Sequence, residues 1–258
     1  MNVTIIDPRM VIYDAPVIVR KEALLQRIAD YVRQGYVHHV SGTVAVHKAP
    51  ALAQKFRDYY RVDLDRNARY RRKRLGQANA ELLLYSAADT NAGLVWVLLV
   101  TDGLHPAHQA ERLKDARERG QRLVVTGCEL VRQPRHGSSA AAWTWRIEDE
   151  QVQTWRYRLK SLIRSHSDAE LRQAWWSLTH APGFSAIRKQ TRKIIAFAKS
   201  EWKRSRAKTE PWPFRASIRL SYVRRITHQT RPLTSLMRER MLARTQDGPT
   251  APSDGMGT

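Results

Sequence analysis

The run ELLLYSAADTNAGLVWVLLVT, residues 81–101, decides the fold. Its two halves, Glu81–Ser86 and Leu94–Thr101, are strand-length and apolar, and the turn-forming Asp89-Thr90-Asn91 stands between them. Both read as strands. On the C-terminal side, His105–Arg119 reads as a helix closed by Gly120. Arg122–Val131 and Ala142–Ile147 then read as two further strands around the loop Gln133–Ser138. On the N-terminal side, Leu24, Leu25, Ile28, Tyr31 and Val32 recur at helical spacing across Lys21–Gln34, with Gly35 in the capping position. Tyr36–His47 reads as a strand, and a basic helical stretch over 49–75 ends at Gly76. Short β-prone runs (Val3–Ile6, Met10–Tyr13, Val17–Val19) precede them, broken by Pro8 and Pro16. Strands interspersed with helices in this order predict an α+β fold, a mixed sheet with helices packed on one face.

After Glu148 the pattern changes to helices. Gln151–Ser165, Asp168–Leu178 and Ser185–Arg206 each carry an apolar stripe, the last through Ile187, Thr191, Ile194, Ile195, Ala198 and Trp202. The Pro-containing run Thr209–Phe214 reads as a linker or arm before two more helices, about 216–227 and 233–244. The expected organisation is a mixed α+β domain over 1–148, a basic helical region over 149–245 and a Gly/Pro/Ser-rich disordered tail over 246–258.

The chain has 258 residues, with 45 Lys and Arg against 24 Asp and Glu, a formal net charge of +21. The excess is uneven. Lys55–Arg74 carries a net +6 and Arg156–Arg225 a net +14, together 20 of the 21 charges. Charge gathered in this way reads as surface set aside for a polyanion, and nucleic acid ranks ahead of an acidic protein or a membrane surface. No apolar run approaches the roughly 18–20 residues of a membrane span, and the N-terminal residues lack a signal-peptide layout. The single cysteine, Cys128, excludes an internal disulfide, fits a reducing cytoplasm and reads as an inert buried thiol.

The candidate phosphate contacts are Arg69, Arg71, Arg72, Lys73 and Arg74 in the first basic stretch, and Arg188, Lys189, Arg192, Lys193 and Lys203 in the second. Trp155, Trp175 and Trp202 lie on apolar stripes and are expected in the core. Trp176 lies off that stripe and Trp212 in the arm, so these two are the candidates for base stacking.

Two catalytic arrangements compete with a pure binding role. Asp102 ends the most apolar strand and Glu129 shares a strand face with Leu123, Val125 and Val131, so the pair could hold magnesium in a nuclease. The bland alternatives are a turn cap for Asp102 and an arginine salt bridge for Glu129. Alternation over Tyr36–His47 puts His39, Ser41, Thr43 and His47 on one polar face, suited to metal-free ribonuclease chemistry. The paired histidines resemble those of HUH-type nickases and replication initiators, in which two histidines flank one apolar residue. Here His38 and His39 are adjacent and so face opposite sides. Leu98–Gly103 resembles the signature of LAGLIDADG homing endonucleases, which is helical in that family and reads as a strand here.

There is no phosphate-binding Gly-x-x-x-x-Gly-Lys loop, no nucleophile elbow and no His-Glu-x-x-His. The expectation is therefore a cytoplasmic protein that binds DNA or RNA through its backbone without a resident cofactor. It would serve DNA replication, recombination or transfer on a bacterial mobile element. The rivals are a nuclease and a structural subunit docking an acidic partner.

Overall fold

The structure, a computed structural model, describes residues 13–87, 93–134, 140–215, 218–227 and 230–246. The runs Val3–Ile6 and Asp89–Asn91, most of the loop after Gln133 and the tail beyond 246 lie outside them.

Strand β1 (Pro16–Ile18) leads into helix α1 (Lys21–Arg33), whose exit is turned by Gly35 at φ +100°, the left-handed conformation expected of that glycine. Strand β2 (His38–Val44) ends before His47, which falls instead in a 3-10 turn over Val46–Lys48. The basic stretch expected as one helix is two, α2 (Ala49–Tyr60) and α3 (Arg66–Arg74), parted where Arg61 takes φ +54°. Strands β3 (Ala80–Tyr85) and β4 (Leu94–Val100) follow as read from the sequence. The helix expected over His105–Arg119 is reduced to the single turn α4 (Ala107–Ala110) and the short strand β5 (Lys114–Asp115). That segment offers little apolar stripe to bury, and its backbone pairs with β2 instead. Strands β6 (Val124–Val125) and β7 (Cys128–Pro134) form a hairpin whose two turn residues, Thr126 and Gly127, both have positive φ. Strand β8 (Ala141–Ile147) completes this second sheet.

The helices α5 (Asp149–Arg164), α6 (Asp168–Thr179) and α7 (Ser185–Ser205) match their expected spans closely. Beyond them the chain departs from expectation. The segment read as a helix over 216–227 is neither helix nor strand where it is described, at 218–227. Its neighbours supply the backbone partners a helix would have supplied internally: Val223 N–H donates to Gly183 O at 3.2 Å, and the Gln26 amide bonds both Arg224 O and Ile226 N. The chain then adds strand β9 (Thr230–Pro232) and helix α8 (Leu233–Gln246).

The fold is α+β. The larger sheet runs β5-β2-β4-β3-β1-β9, with β1 and β3 parallel and its other pairs antiparallel. The smaller runs β6-β7-β8. Helices cover both faces of the larger sheet rather than one. Leu83, Tyr85, Val97 and Leu99 share a core with α1 and with Leu130 and Trp145 of the small sheet. Leu82, Leu84, Leu98 and Val100 share another with Ala53, Phe56 and Tyr60 of α2 and with Leu233 and Leu236 of α8. The physical reason is visible in 81–101, where unbroken apolar runs leave no polar face for water. A third core joins α5, α6 and α7. The expected boundary at 148/149 does not separate the first core from the helices, because Phe184 and Ile187 belong to it and the Gln190 amide bonds Ile147 N and O at 2.7 and 2.8 Å. Residues 230–245, placed with the helical region by the sequence, extend the larger sheet and its second core.

Candidate nucleic-acid interface

Asp65 caps α3, its Oδ1 accepting from Ala68 N–H at 2.7 Å. At the other end Gly76, at φ +69°, closes a Schellman motif in which Gln77 N–H reaches Arg72 O and Gly76 N–H reaches Lys73 O. Within this short helix the cations divide by face. Arg69 is turned inward. It pairs with Glu81 and donates to Val62 O and Leu64 O at 3.0 and 2.8 Å. Burial pushes the Glu81 carboxyl up, and the Arg69 guanidinium beside it pulls the other way. Arg72 is also committed, its Nε and Nη2 donating to Ala78 O at 3.2 and 2.9 Å. Arg66, Arg71, Lys73 and Arg74 are exposed, and none has an ion-pair partner among the described residues. Of the five cations nominated in this stretch, three face solvent and two hold the fold.

Beside α3 lies an open cleft of about 1430 Å3. Its wall includes Arg27 and Arg33 from α1, Arg66, Arg69 and Lys73 from α3, and Arg225 from the returning chain. Against these six cations stand two carboxylates, Asp30 and Asp102. Asp30 is shared by Arg33 and Arg225 at 3.0 and 2.6 Å. Tyr70, more than half exposed, offers a ring in the same wall. Arg27, Arg33, Arg66 and Arg225 are not distinguished by the sequence, because α1, α3 and residue 225 meet only in the fold.

The nominated catalytic residues do not assemble. Asp102 lies just beyond β4 in the larger sheet, whereas Glu129 lies on β7 in the smaller one, between Arg122 and Arg146. Glu129 thus takes the arginine-bridged role. Among the described residues no cluster of three or more His, Cys, Asp or Glu side chains could hold a metal ion. His39 is buried, with Nε2 donating to Gln121 O at 2.8 Å, and burial pushes its pKa below the usual histidine value. His47 is exposed on its 3-10 turn, off the strand that was to align it with His39. What does assemble is His38 with Asp102, Nε2 to Oδ1 at 2.7 Å, at the edge of the cleft. Arg117 donates to both Asp102 and Asp115 and ties β5 to the end of β4. The His38 and Arg117 contacts hold the Asp102 carboxyl below its ordinary range. The signal for His38 was in the sequence, since it alternates with His39 and so faces the other way.

On α7, Lys189, Arg192, Lys193 and Lys203 are exposed along one side, a stripe roughly 21 Å long at 1.5 Å per residue. Arg188 is committed, its Nε donating to Leu220 O at 2.9 Å and its guanidinium lying 3.5 Å from the centre of the Tyr222 ring. Trp176 is exposed, as expected, and its ring stacks on His180 at 4.3 Å. Trp212, expected in a free arm, is packed instead edge-on against Trp175 and Trp202 at 5.2 and 5.6 Å and closes the helical core. Three aromatic neighbours account for that difference, with Phe214 the third. Cys128 is buried and its thiol is pushed up by burial. No described helix is long and apolar enough to cross a membrane.

No protein-family model, curated protein or solved structure matches the chain.

Proposed function

We propose that this chain binds nucleic acid through the cleft beside α3, chiefly by its phosphates. The observation that carries the reading is the composition of that wall, six cations against two carboxylates around an open space lined by aromatic rings. Cations held on rigid helices meet phosphates at small entropic cost and release condensed counterions on binding. The stripe on α7 extends the same chemistry to a second surface. A sequence-tolerant binder of this kind would serve replication, recombination or transfer of DNA. The test is fluorescence anisotropy with labelled single- and double-stranded DNA and RNA. With Arg69 held by Glu81, the five other cations of the wall predict a loss of affinity of several hundredfold between roughly 50 and 200 mM salt. Arg66→Ala with Lys73→Ala is expected to weaken binding and flatten that salt dependence by about two phosphates. Binding indifferent to salt would overturn the reading in favour of an ordinary protein interface.

One observation favours a second reading, metal-free cleavage of the bound strand. A carboxylate-paired imidazole, His38 with Asp102, stands at the cleft edge, and such pairs serve as proton carriers. Cleavage that persists in EDTA and is lost in His38→Ala would establish it. Intact strands after prolonged incubation would dismiss it.

A further inference from the structure

The tip of α3 does more than end a helix. Leu75, the C-cap residue between Arg74 and Gly76, is 73% exposed, and Leu104 is 81% exposed. Single exposed leucines are ordinary, but these two sit on turns that are locked together. Leu104 N–H donates to Gly76 O at 3.3 Å, and Ala78 N–H donates to Leu104 O at 3.0 Å. Gly103, at φ +121°, permits the approach: a Cβ there would stand 2.7 Å from Gly76 O and 3.0 Å from Ala78 N. The two Arg72 bonds to Ala78 O stiffen the same turn from the helix side. The result is a rigid double turn carrying two large apolar side chains on the rim of the basic cleft, since Gly76, Gln77 and Gly103 are themselves part of its wall. Exposed Arg71, Lys73 and Arg74 lie in the preceding helical turn.

From this juxtaposition we infer that Leu75 and Leu104 form a wedge that enters a base step of double-stranded DNA while the neighbouring cations hold the flanking phosphates. The inference rests on the nucleic-acid reading above and names the substrate. Charge decides the partner class, because an apolar tip directly following the unpaired cations of α3 suits a surface that is polyanionic outside and apolar within. A base stack seen from the DNA minor groove has that character, and apolar side chains inserted there unstack a step and kink the duplex. The corresponding groove of duplex RNA is lined by 2′-hydroxyls, which leucine cannot satisfy.

The test uses the full chain and DNA duplexes carrying 2-aminopurine at interior positions, with affinity read in parallel by anisotropy. Saturating protein should raise the 2-aminopurine fluorescence, which reports unstacking. Leu75→Ala with Leu104→Ala should abolish that rise while leaving the dissociation constant within about threefold, since phosphate contacts dominate affinity. Arg71→Ala with Arg74→Ala should weaken binding, and the fluorescence rise should return once the duplex is saturated. Both leucines are exposed, so an unchanged melting temperature in the double variant verifies its fold. A rise that survives the leucine double variant, or tight binding by the wild type with no rise, overturns the wedge and leaves the binding function standing. Failure to bind duplex or single strand at low salt overturns both. A dimer in DNA-free solution that the leucine substitutions dissociate would assign the tip to a second copy of the chain and overturn the wedge.

Discussion

Within α3 the same residue type has opposite duties. Arg69 bonds Glu81 and two carbonyls from a largely buried position, whereas Arg71 two residues on faces solvent. Removing Arg69 leaves the Glu81 carboxylate without its partner, so Arg69→Ala is expected to cost about 3 kcal/mol in urea unfolding, against less than about 0.5 for Arg71→Ala. Under the proposed binding function the order is expected to reverse for DNA affinity measured on folded protein, since Arg71 is free to meet a phosphate. Nothing in the sequence distinguishes the two arginines, because the partner that claims Arg69 lies on the next strand. The sequence showed that the charge was concentrated but not which charges were consumed. Histidine behaves similarly. His39 and His105 are held below the ordinary histidine pKa of 6.5, in each case first by burial. The unfolded chain therefore takes up protons before the folded one, so their contribution is complete above about pH 6.5 and is lost as pH falls from there through their lowered folded-state pKa. The urea midpoint is expected to drop between about pH 7.5 and 5.5, and less steeply in His39→Gln. An equal slope in both proteins would remove His39 from that account.

At the scale of elements, turns were less legible than strands and helices. The unbroken apolar runs of β3 and β4 and the stripes of α5, α6 and α7 announced themselves, since burial imposes a period on the sequence. The segment at 105–119 is not a helix because it has charge but few apolar residues for a helix face, whereas 218–227 is apolar enough and departs from a helix because Gly183 O and the Gln26 amide claim its peptide groups. Glycines show how specific such claims are. Gly103→Ala would drive a Cβ against Gly76 O in a conformation alanine avoids, and is expected to cost about 2–3 kcal/mol. Gly35→Ala has open space around it and should cost only about 1 kcal/mol. Thermal melts of the two variants compare them directly, and similar losses would mean that the double turn yields more easily than its contacts suggest.

At the scale of the molecule, the α+β class and the basic character could be read, but the path of the chain could not. The sequence suggested consecutive halves, whereas β9 pairs with β1, and Thr234 bonds Asp14 from 220 positions away. Truncation after Thr227 removes a strand and a helix from the larger sheet and uncovers the core that Leu233 and Leu236 share with Leu82 and Leu84. It is expected to give aggregated rather than monomeric protein in size-exclusion chromatography, although the α5–α7 core is untouched. The cleft depends on the same return, because Arg225 belongs to the chain on its way back. That closure has a consequence in time. A ribosome releases β9 long after β1, so while the intervening chain is made the nascent protein carries an unfinished sheet edge beside β1 and an uncovered apolar face. Contacts of such separation slow the final step of folding. Newly made chains should therefore depend on holding chaperones until the last strand docks.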